Sequence, residues 1–224
     1  WFVFFTIIST LGASMMVGAF LMKLRSLWLL ILSLVCVAGT TFMLPLGLPI
    51  KEVSAAISIP KTLLFVPWDF MTPAGPAIMA YPIIPWLGIT LVGMALGHFL
   101  VDHGERVFQK IHLVGGALLV AFAAVRFSGV IGNINDLKPE GLISFLSITK
   151  YPPSLTFVLL TLGIICLFMS LFNRVGHFLD RNDPLIVFGR VPFFFYLLHI
   201  TVFCVLGKII PGSGYALGYG VWVA

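Results

Sequence analysis

Long apolar runs separated by short polar segments are the dominant pattern of this sequence. Each run continues for about 20 residues, the length that a helix needs to cross roughly 30 Å of hydrocarbon. The predicted spans cover residues 2–22, 27–46, 81–101, 111–129, 154–172 and 191–209. The tail after Pro211 is rich in glycine and then apolar, which predicts the start of one more span. The pattern therefore predicts an all-α, polytopic transmembrane helical bundle of about six to seven spans.

The composition is that of a membrane protein. Apolar residues make up 60% of the chain and charged residues 9%, and the mean hydropathy is +1.11. A soluble domain is about half apolar and a quarter charged, so lipid must cover the outside of this chain. The net charge of +5 is dispersed, and without a cluster of basic residues we exclude a nucleic-acid partner. The expected partners are membrane lipids and, in one interpretation, other membrane subunits.

Both ends of the sequence lie inside apolar stretches, at Trp1 and at Ala224. No basic segment and no small-residue cleavage site accompanies the first run, so we predict no signal peptide. We expect residues 1–224 to form a single transmembrane domain, a fragment of a longer chain whose N- and C-terminal spans are missing.

The distribution of basic residues predicts the orientation. Loops 23–26, 102–110 and 173–190 hold seven Lys and Arg residues, and the opposite side holds five, or six if Arg126 snorkels outward. Because the basic side of a membrane protein is cytoplasmic and short loops report this best, we place these three loops inside. The long loops 47–79 and 130–153 then lie outside, with the cytoplasmic (inner) membrane of a bacterium as the expected location.

His199 is the strongest candidate for chemistry, because it lies deep in the sixth predicted span, nine residues past Arg190. An ionisable group at that depth is a functional candidate, and imidazole can accept and return a proton near neutral pH. Arg190, which we expect to open the same helix, could hold a phosphate or pyrophosphate such as that of coenzyme A. The alternatives are a neutral histidine bonded to a neighbouring helix and an ordinary positive-inside anchor.

A second candidate is the segment Lys150-Tyr151-Pro152-Pro153, at the mouth of the fifth predicted span. The two prolines fix the backbone and favour a defined shape, so Lys150 and Tyr151 could position a substrate. The alternative is a helix start with a snorkelling lysine and an interfacial tyrosine. We expect no metal site, because the histidines near the third and fourth spans form no i, i+4 pair with a third ligand.

Three motifs resemble those of bacterial membrane proteins related to heparan-alpha-glucosaminide N-acetyltransferase, within the wider multi-span acyltransferase group. They are Tyr81-Pro82-Ile83-Ile84-Pro85-Trp86-Leu87-Gly88, Lys150-Tyr151-Pro152-Pro153-Ser154-Leu155 continuing to Thr161-Leu162-Gly163, and Phe188-Gly189-Arg190-Val191-Pro192-Phe193-Phe194 continuing to Tyr196-Leu197-Leu198-His199. The resemblance implies ten or more spans in the whole protein and acyl transfer from cytoplasmic acyl-CoA, as co-substrate, to an acceptor such as a sugar amine or hydroxyl. It also implies a catalytic histidine in an early loop that this sequence does not include.

Three functions remain open, and the third, a small-molecule or lipid transporter, would need helices that are broken at the midplane of the membrane. The first is an acyltransferase in which His199, Lys150 and Tyr151 are catalytic and Arg190 binds the acyl-CoA. The second is a non-catalytic accessory subunit of a larger membrane complex, since a fold can be kept without its chemistry.

Overall fold

Helices form most of the structure, a computed structural model that describes residues 3–5, 7–43, 63–65, 68–72, 75–79, 81–129, 141–150 and 152–209. The principal helices are α1 (Ile7–Leu21), α2 (Ser26–Met43), α3 (Ile83–His103), α4 (Arg106–Ser128), α5 (Leu142–Leu146), α6 (Leu155–Val175), α7 (Pro184–Arg190) and α8 (Pro192–Ile209). Three short strands accompany them, β1 (Val3–Phe5), β2 (Trp68–Thr72) and β3 (Gly75–Met79). The chain divides into two compact units, Trp1–Leu171 and Phe172–Ala224.

The ends of α3 and α4 follow from proline and glycine. Pro82 precedes α3 in an extended conformation, and Pro85 lies in the first turn, where its missing N–H leaves no hydrogen bond unmade. Gly104 ends α3 at a φ of 59°, and Gly129 follows α4 at 66°. Both φ values are positive, and glycine adopts them without a steric penalty.

The core of the first unit lies where α1 and α2 pack against α3. Leu29 of α2 meets Leu87, Leu91 and Ala95 of α3, all of them buried. The two helices approach closely at Gly88, where an added Cβ would lie 3.1 Å from the backbone oxygen of Ser33. The face that α1 buries consists of small or polar residues. They are Thr10, Ser14 and Gly18.

Helices α4 and α6 also meet at glycines. A Cβ added to Gly115 would lie 2.9 Å from the backbone oxygen of Gly163, and one added to Gly163 would lie 2.8 Å from a methyl group of Leu119. Small residues of this kind let helix backbones approach closely inside a membrane. Gly115 also faces Cys166 and Leu167, whereas Leu119, one turn later on α4, faces Gly163, earlier on α6. The two helices therefore run antiparallel, and the end of α4 lies on the same side as the start of α6.

The strands form a sheet in the order β1-β3-β2, with β1 parallel and β2 antiparallel to β3. The expected all-α class therefore describes the helical part of the chain, to which this small sheet is added. The first predicted span, 2–22, was placed too early, because Val3–Phe5 pairs with β3 and the helix begins only at Ile7.

The predicted count of six to seven spans is not supported. Among the described residues, three helices are long and apolar enough to cross a membrane, namely Ile83–His103, Arg106–Ser128 and Leu155–Val175. A fourth span is reached only if α7 and α8, which meet at a bend of 96°, count as one. Helix α1 has 15 residues, which at 1.5 Å each is about 22 Å and short of the hydrocarbon thickness. The predicted seventh span after Pro211 lies outside the described residues.

Candidate active site

His199 is the eighth residue of α8, within the second unit, and is half-buried. Its Nδ1 atom lies 3.0 Å from the backbone oxygen of Phe195, one helical turn earlier. A carbonyl oxygen only accepts hydrogen bonds, so Nδ1 carries a proton, and in a neutral ring the lone pair is then on Nε2. The rings of Tyr196 and Phe203 flank the imidazole, with centroids at 5.5 and 6.2 Å. Nε2 is therefore the ring nitrogen that a neutral imidazole would offer as a base.

Arg190 is the last residue of α7, and its side chain is exposed. The expectation that it opens the helix of His199 is wrong, because α8 begins at Pro192 after a bend of 96°. Proline disfavours a helical conformation in the residue before it, and Val191 accordingly adopts φ −128° and ψ 51°. Arg190 and His199 therefore lie on two differently directed helices, and the guanidinium lies at the C-terminal end of α7, where the helix dipole favours a cation.

Lys150 lies in the first unit, half-buried, just before the start of α6. Pro152 and Pro153 are buried, and the Ser154 hydroxyl accepts a hydrogen bond of 3.1 Å from the N–H of Phe157. Ser154 is thus the N-cap of α6. Its own N–H donates to the backbone oxygen of Thr149 at 3.1 Å, so the backbone closes a turn around Lys150. Tyr151, the other predicted residue of this motif, lies outside the described residues.

Arg126 is a residue of this region whose role sequence reasoning missed. It was expected to snorkel outward if anything, yet only 1% of it is exposed. Its Nη2 atom donates to the backbone oxygens of Ser144 and Ser147 at 2.8 and 2.9 Å. Its Nε atom donates to the backbone oxygen of Phe145 at 3.0 Å. The guanidinium therefore holds the segment around α5 against the end of α4.

The predicted site residues thus fall into two groups. The first unit holds Lys150 together with Arg126, and the second unit holds Arg190 and His199. The only signal for Arg126 in the sequence is a cation shortly before the end of an apolar run. Any snorkelling residue gives the same signal. The sequence does not distinguish the two cases, because the carbonyl groups that bind Arg126 belong to a separate segment.

Within the described parts of the chain, no three His, Cys, Asp or Glu side chains group in a way that could hold a metal ion. One of the histidines considered above, His103, bonds its own helix instead, with Nδ1 3.2 Å from the backbone oxygen of Phe99. The described site residues offer hydrogen bonds and positive charge, through imidazole, ammonium and guanidinium groups.

Comparison with known proteins gives one family. The sequence model of heparan-alpha-glucosaminide N-acetyltransferase, catalytic, matches residues 1–125, which is more than half of the chain. The matched part includes the Tyr81–Gly88 motif, whereas Lys150 and His199 lie beyond its end. No curated protein and no solved structure matches the chain.

Proposed function

The chain belongs to the heparan-alpha-glucosaminide N-acetyltransferase catalytic family, and from that membership we propose that it is a membrane-embedded acyltransferase. The reaction would move an acyl group from acyl-CoA to a sugar or similar acceptor. The family match over residues 1–125 is the observation that carries this proposal. The apolar helices α3, α4 and α6, each long enough to span, support a location in the membrane, and we propose the bacterial cytoplasmic membrane.

The chemistry requires one proton to leave the acceptor and one to reach the departing sulfur. The bond between the acyl carbon and sulfur breaks, and a bond from that carbon to the acceptor nitrogen or oxygen forms. We assign the removal of the acceptor proton to Nε2 of His199, because its Nδ1 atom already faces the Phe195 oxygen. The same imidazole could then return the proton to the CoA thiolate, the acid half of general acid–base catalysis.

The remaining roles belong to two cations and a tyrosine. Arg190 would bind the phosphates of acyl-CoA, since its guanidinium is exposed and offers forked hydrogen bonds. Lys150 and Tyr151 would help to position the acceptor. The geometry supports this for Lys150 through the closed turn from Thr149 to Ser154.

Binding of labelled acetyl-CoA to the full-length chain in lipid nanodiscs tests the donor assignment. Arg190→Ala should weaken binding by about 10- to 100-fold, the loss expected for charge-assisted hydrogen bonds of about 1.5–3 kcal/mol. Arg181→Ala is the matched control, because Arg181 is equally exposed in the same polar segment. Binding that Arg190→Ala leaves unchanged would remove this residue from the donor site.

Transfer of the labelled acetyl group to a glucosaminide tests the reaction itself. His199→Gln should lower kcat by at least about 100-fold, the contribution of a general base, while acetyl-CoA binding stays as in the parent. Thr201→Ala, an exposed position on the same helix, should keep full activity. A parent protein that neither binds nor transfers, and that copurifies with other membrane subunits in fixed stoichiometry, would instead be the accessory subunit.

A further inference from the structure

A fully buried guanidinium is the most unusual feature of the first unit. Removing a charge from water is unfavourable unless hydrogen bonds replace the lost hydration. Arg126 is 1% exposed, and three backbone oxygens lie within 3.0 Å of its nitrogens. A lysine could not make the same set of bonds, because its single nitrogen lacks the planar fork.

The three acceptors belong to the end of one short helix. α5 has five residues, too few to be stable alone, because helix nucleation is costly. The Ser144 oxygen accepts a hydrogen bond of 3.2 Å from the Ser147 N–H, which closes the last turn. The carbonyl groups at this end form the negative end of the helix dipole. Arg126 places a positive charge at this negative end and donates hydrogen bonds to the oxygens of Ser144, Phe145 and Ser147.

Aromatic packing attaches the same segment to α4. The ring of Phe145 lies 5.3 Å from that of Phe122 and 4.8 Å from that of Phe127. Both partners lie on α4, on either side of Arg126 in sequence. The segment is therefore held to one helix by polar and apolar contacts together.

The attached segment continues directly to Lys150. From Ser147, two residues lead to Lys150, and the bond from Ser154 N to Thr149 O then fixes the far side of the turn. We infer that Arg126 is a positioning residue, which places Lys150 at the start of α6 by fixing the backbone of residues 144–147. The effect on catalysis rests on the proposed function, whereas the effect on the segment does not.

Thiol labelling tests the positioning without any assumption about activity. In the full-length chain with Cys36, Cys166 and Cys204 replaced by alanine, Ser144→Cys supplies a reporter at a buried position of the segment. Adding Arg126→Gln should raise its rate of reaction with a water-soluble maleimide by about tenfold or more, and Arg126→Lys should give a smaller rise. Ser147→Cys, exposed on the same segment, should react quickly in both backgrounds.

A third reporter separates local release from general unfolding. Ser33 is a buried residue of α2 at its contact with α3. A cysteine at this position should stay unreactive when Arg126 is replaced. Equal Ser144→Cys rates with and without Arg126→Gln would overturn the inference. A rise at Ser33→Cys as large as that at Ser144→Cys would overturn it too, since Arg126 would then only stabilise the whole unit.

The catalytic consequence has its own readout. If the chain transfers acyl groups, Arg126→Gln should raise the KM for the acceptor or lower kcat by about tenfold, with acetyl-CoA binding unchanged. Arg126→Lys should recover part of this loss. Unchanged kinetics beside a faster Ser144→Cys reaction would show that the segment is held but does not place Lys150 for the reaction. An inactive parent with the labelling result intact would contradict the proposed function alone.

Discussion

Polar side chains within the helices bind backbone oxygens one turn away. Thr90 donates to Trp86, Thr161 to Phe157 and Thr201 to Leu197, each four residues earlier. The contacts of His103 and His199 follow the same spacing. The sequence alternative for His199 was a bond to a neighbouring helix, whereas the bond lies within its own helix. Such a bond fixes one ring nitrogen and leaves the other for chemistry, so it is compatible with the proposed base.

The N-cap of α6, Ser154, should contribute measurably to stability. Its hydroxyl caps α6 and is buried, with 1% of the residue exposed, so Ser154→Ala should lower the free energy of unfolding by about 1–2 kcal/mol, as loss of an N-cap does. Ser154→Thr keeps the hydroxyl and should recover most of this. The control is Ser128→Ala at the exposed end of α4, which should change stability by less than about 0.5 kcal/mol. Unfolding in mixed detergent–SDS micelles gives these values, and a Ser154→Ala variant as stable as the parent would refute the cap.

At the scale of elements, glycine decides how closely two helices pack. Gly115 of α4 faces the backbone oxygen of Gly163, whereas its neighbour Gly116 has nothing within 4 Å of an added Cβ. Gly115→Ala should therefore destabilise the protein by about 1–3 kcal/mol through overpacking. Gly116→Ala should be neutral or stabilising by up to about 1 kcal/mol, because alanine is the better helix former. The same micelle titration measures both, and equal effects of the two changes would show that α4 and α6 do not meet here.

The contacts of α3 with α1 and α2 predict which of two further glycine substitutions destabilises the protein more. A Cβ on Gly88 would approach the Ser33 backbone oxygen to 3.1 Å and a methyl group of Val37 to 2.9 Å. A Cβ on Gly18 would meet only the thioether of Met94, at 2.8 Å from its sulfur. Because methionine is flexible and a backbone is not, Gly88→Ala should cost about 1–3 kcal/mol more than Gly18→Ala. The reverse order of unfolding free energies would contradict the packing of α2 on α3.

At the scale of the whole molecule, the hydropathy pattern predicts helices well and their geometry poorly. The spans predicted at 81–101, 111–129 and 154–172 correspond to α3, α4 and α6. The pairing of β1 with β3 escaped prediction because it joins residues more than 70 apart in sequence, a long-range contact that local patterns do not encode. The antiparallel pair of β2 and β3 is local, and the prediction missed it by assigning residues 47–79 to a loop. The bend before α8 has a local signal, Pro192, at the beginning of the predicted span 191–209. The error was to count Arg190 on that same helix.

The sequence predicts the candidate site only in part, because some of its contacts join segments that are distant in sequence. Residue type and depth indicate His199, but its tautomer depends on a hydrogen bond that only the structure shows. The placement of Arg126 depends on three backbone oxygens from a segment at least 18 residues away in sequence. Chemistry carried by side chains can therefore be proposed from the sequence, whereas support supplied by the backbone cannot.

Many large apolar side chains are exposed on the described helices, as a lipid-facing surface requires. Phe20 and Val101 are 86% and 85% exposed, and Phe127 is 74% exposed. A soluble protein rarely exposes contiguous apolar surface on this scale. The described helices therefore agree with the composition in placing the chain in a bilayer, and the remaining question is which end of α4 faces the cytoplasm.

Cysteine labelling in sealed right-side-out vesicles answers that question. Helix α4 has 23 residues, so it is about 34 Å long and its two ends should reach opposite sides of the membrane. Gln109→Cys lies beside the basic segment assigned to the cytoplasm, and Ser147→Cys lies near the other end, on the segment bound by Arg126. In a chain without its native cysteines, an impermeant maleimide should label Ser147→Cys in intact vesicles and Gln109→Cys only after permeabilisation. The opposite result would reverse the orientation, and labelling of both in intact vesicles would mean that α4 does not cross the membrane.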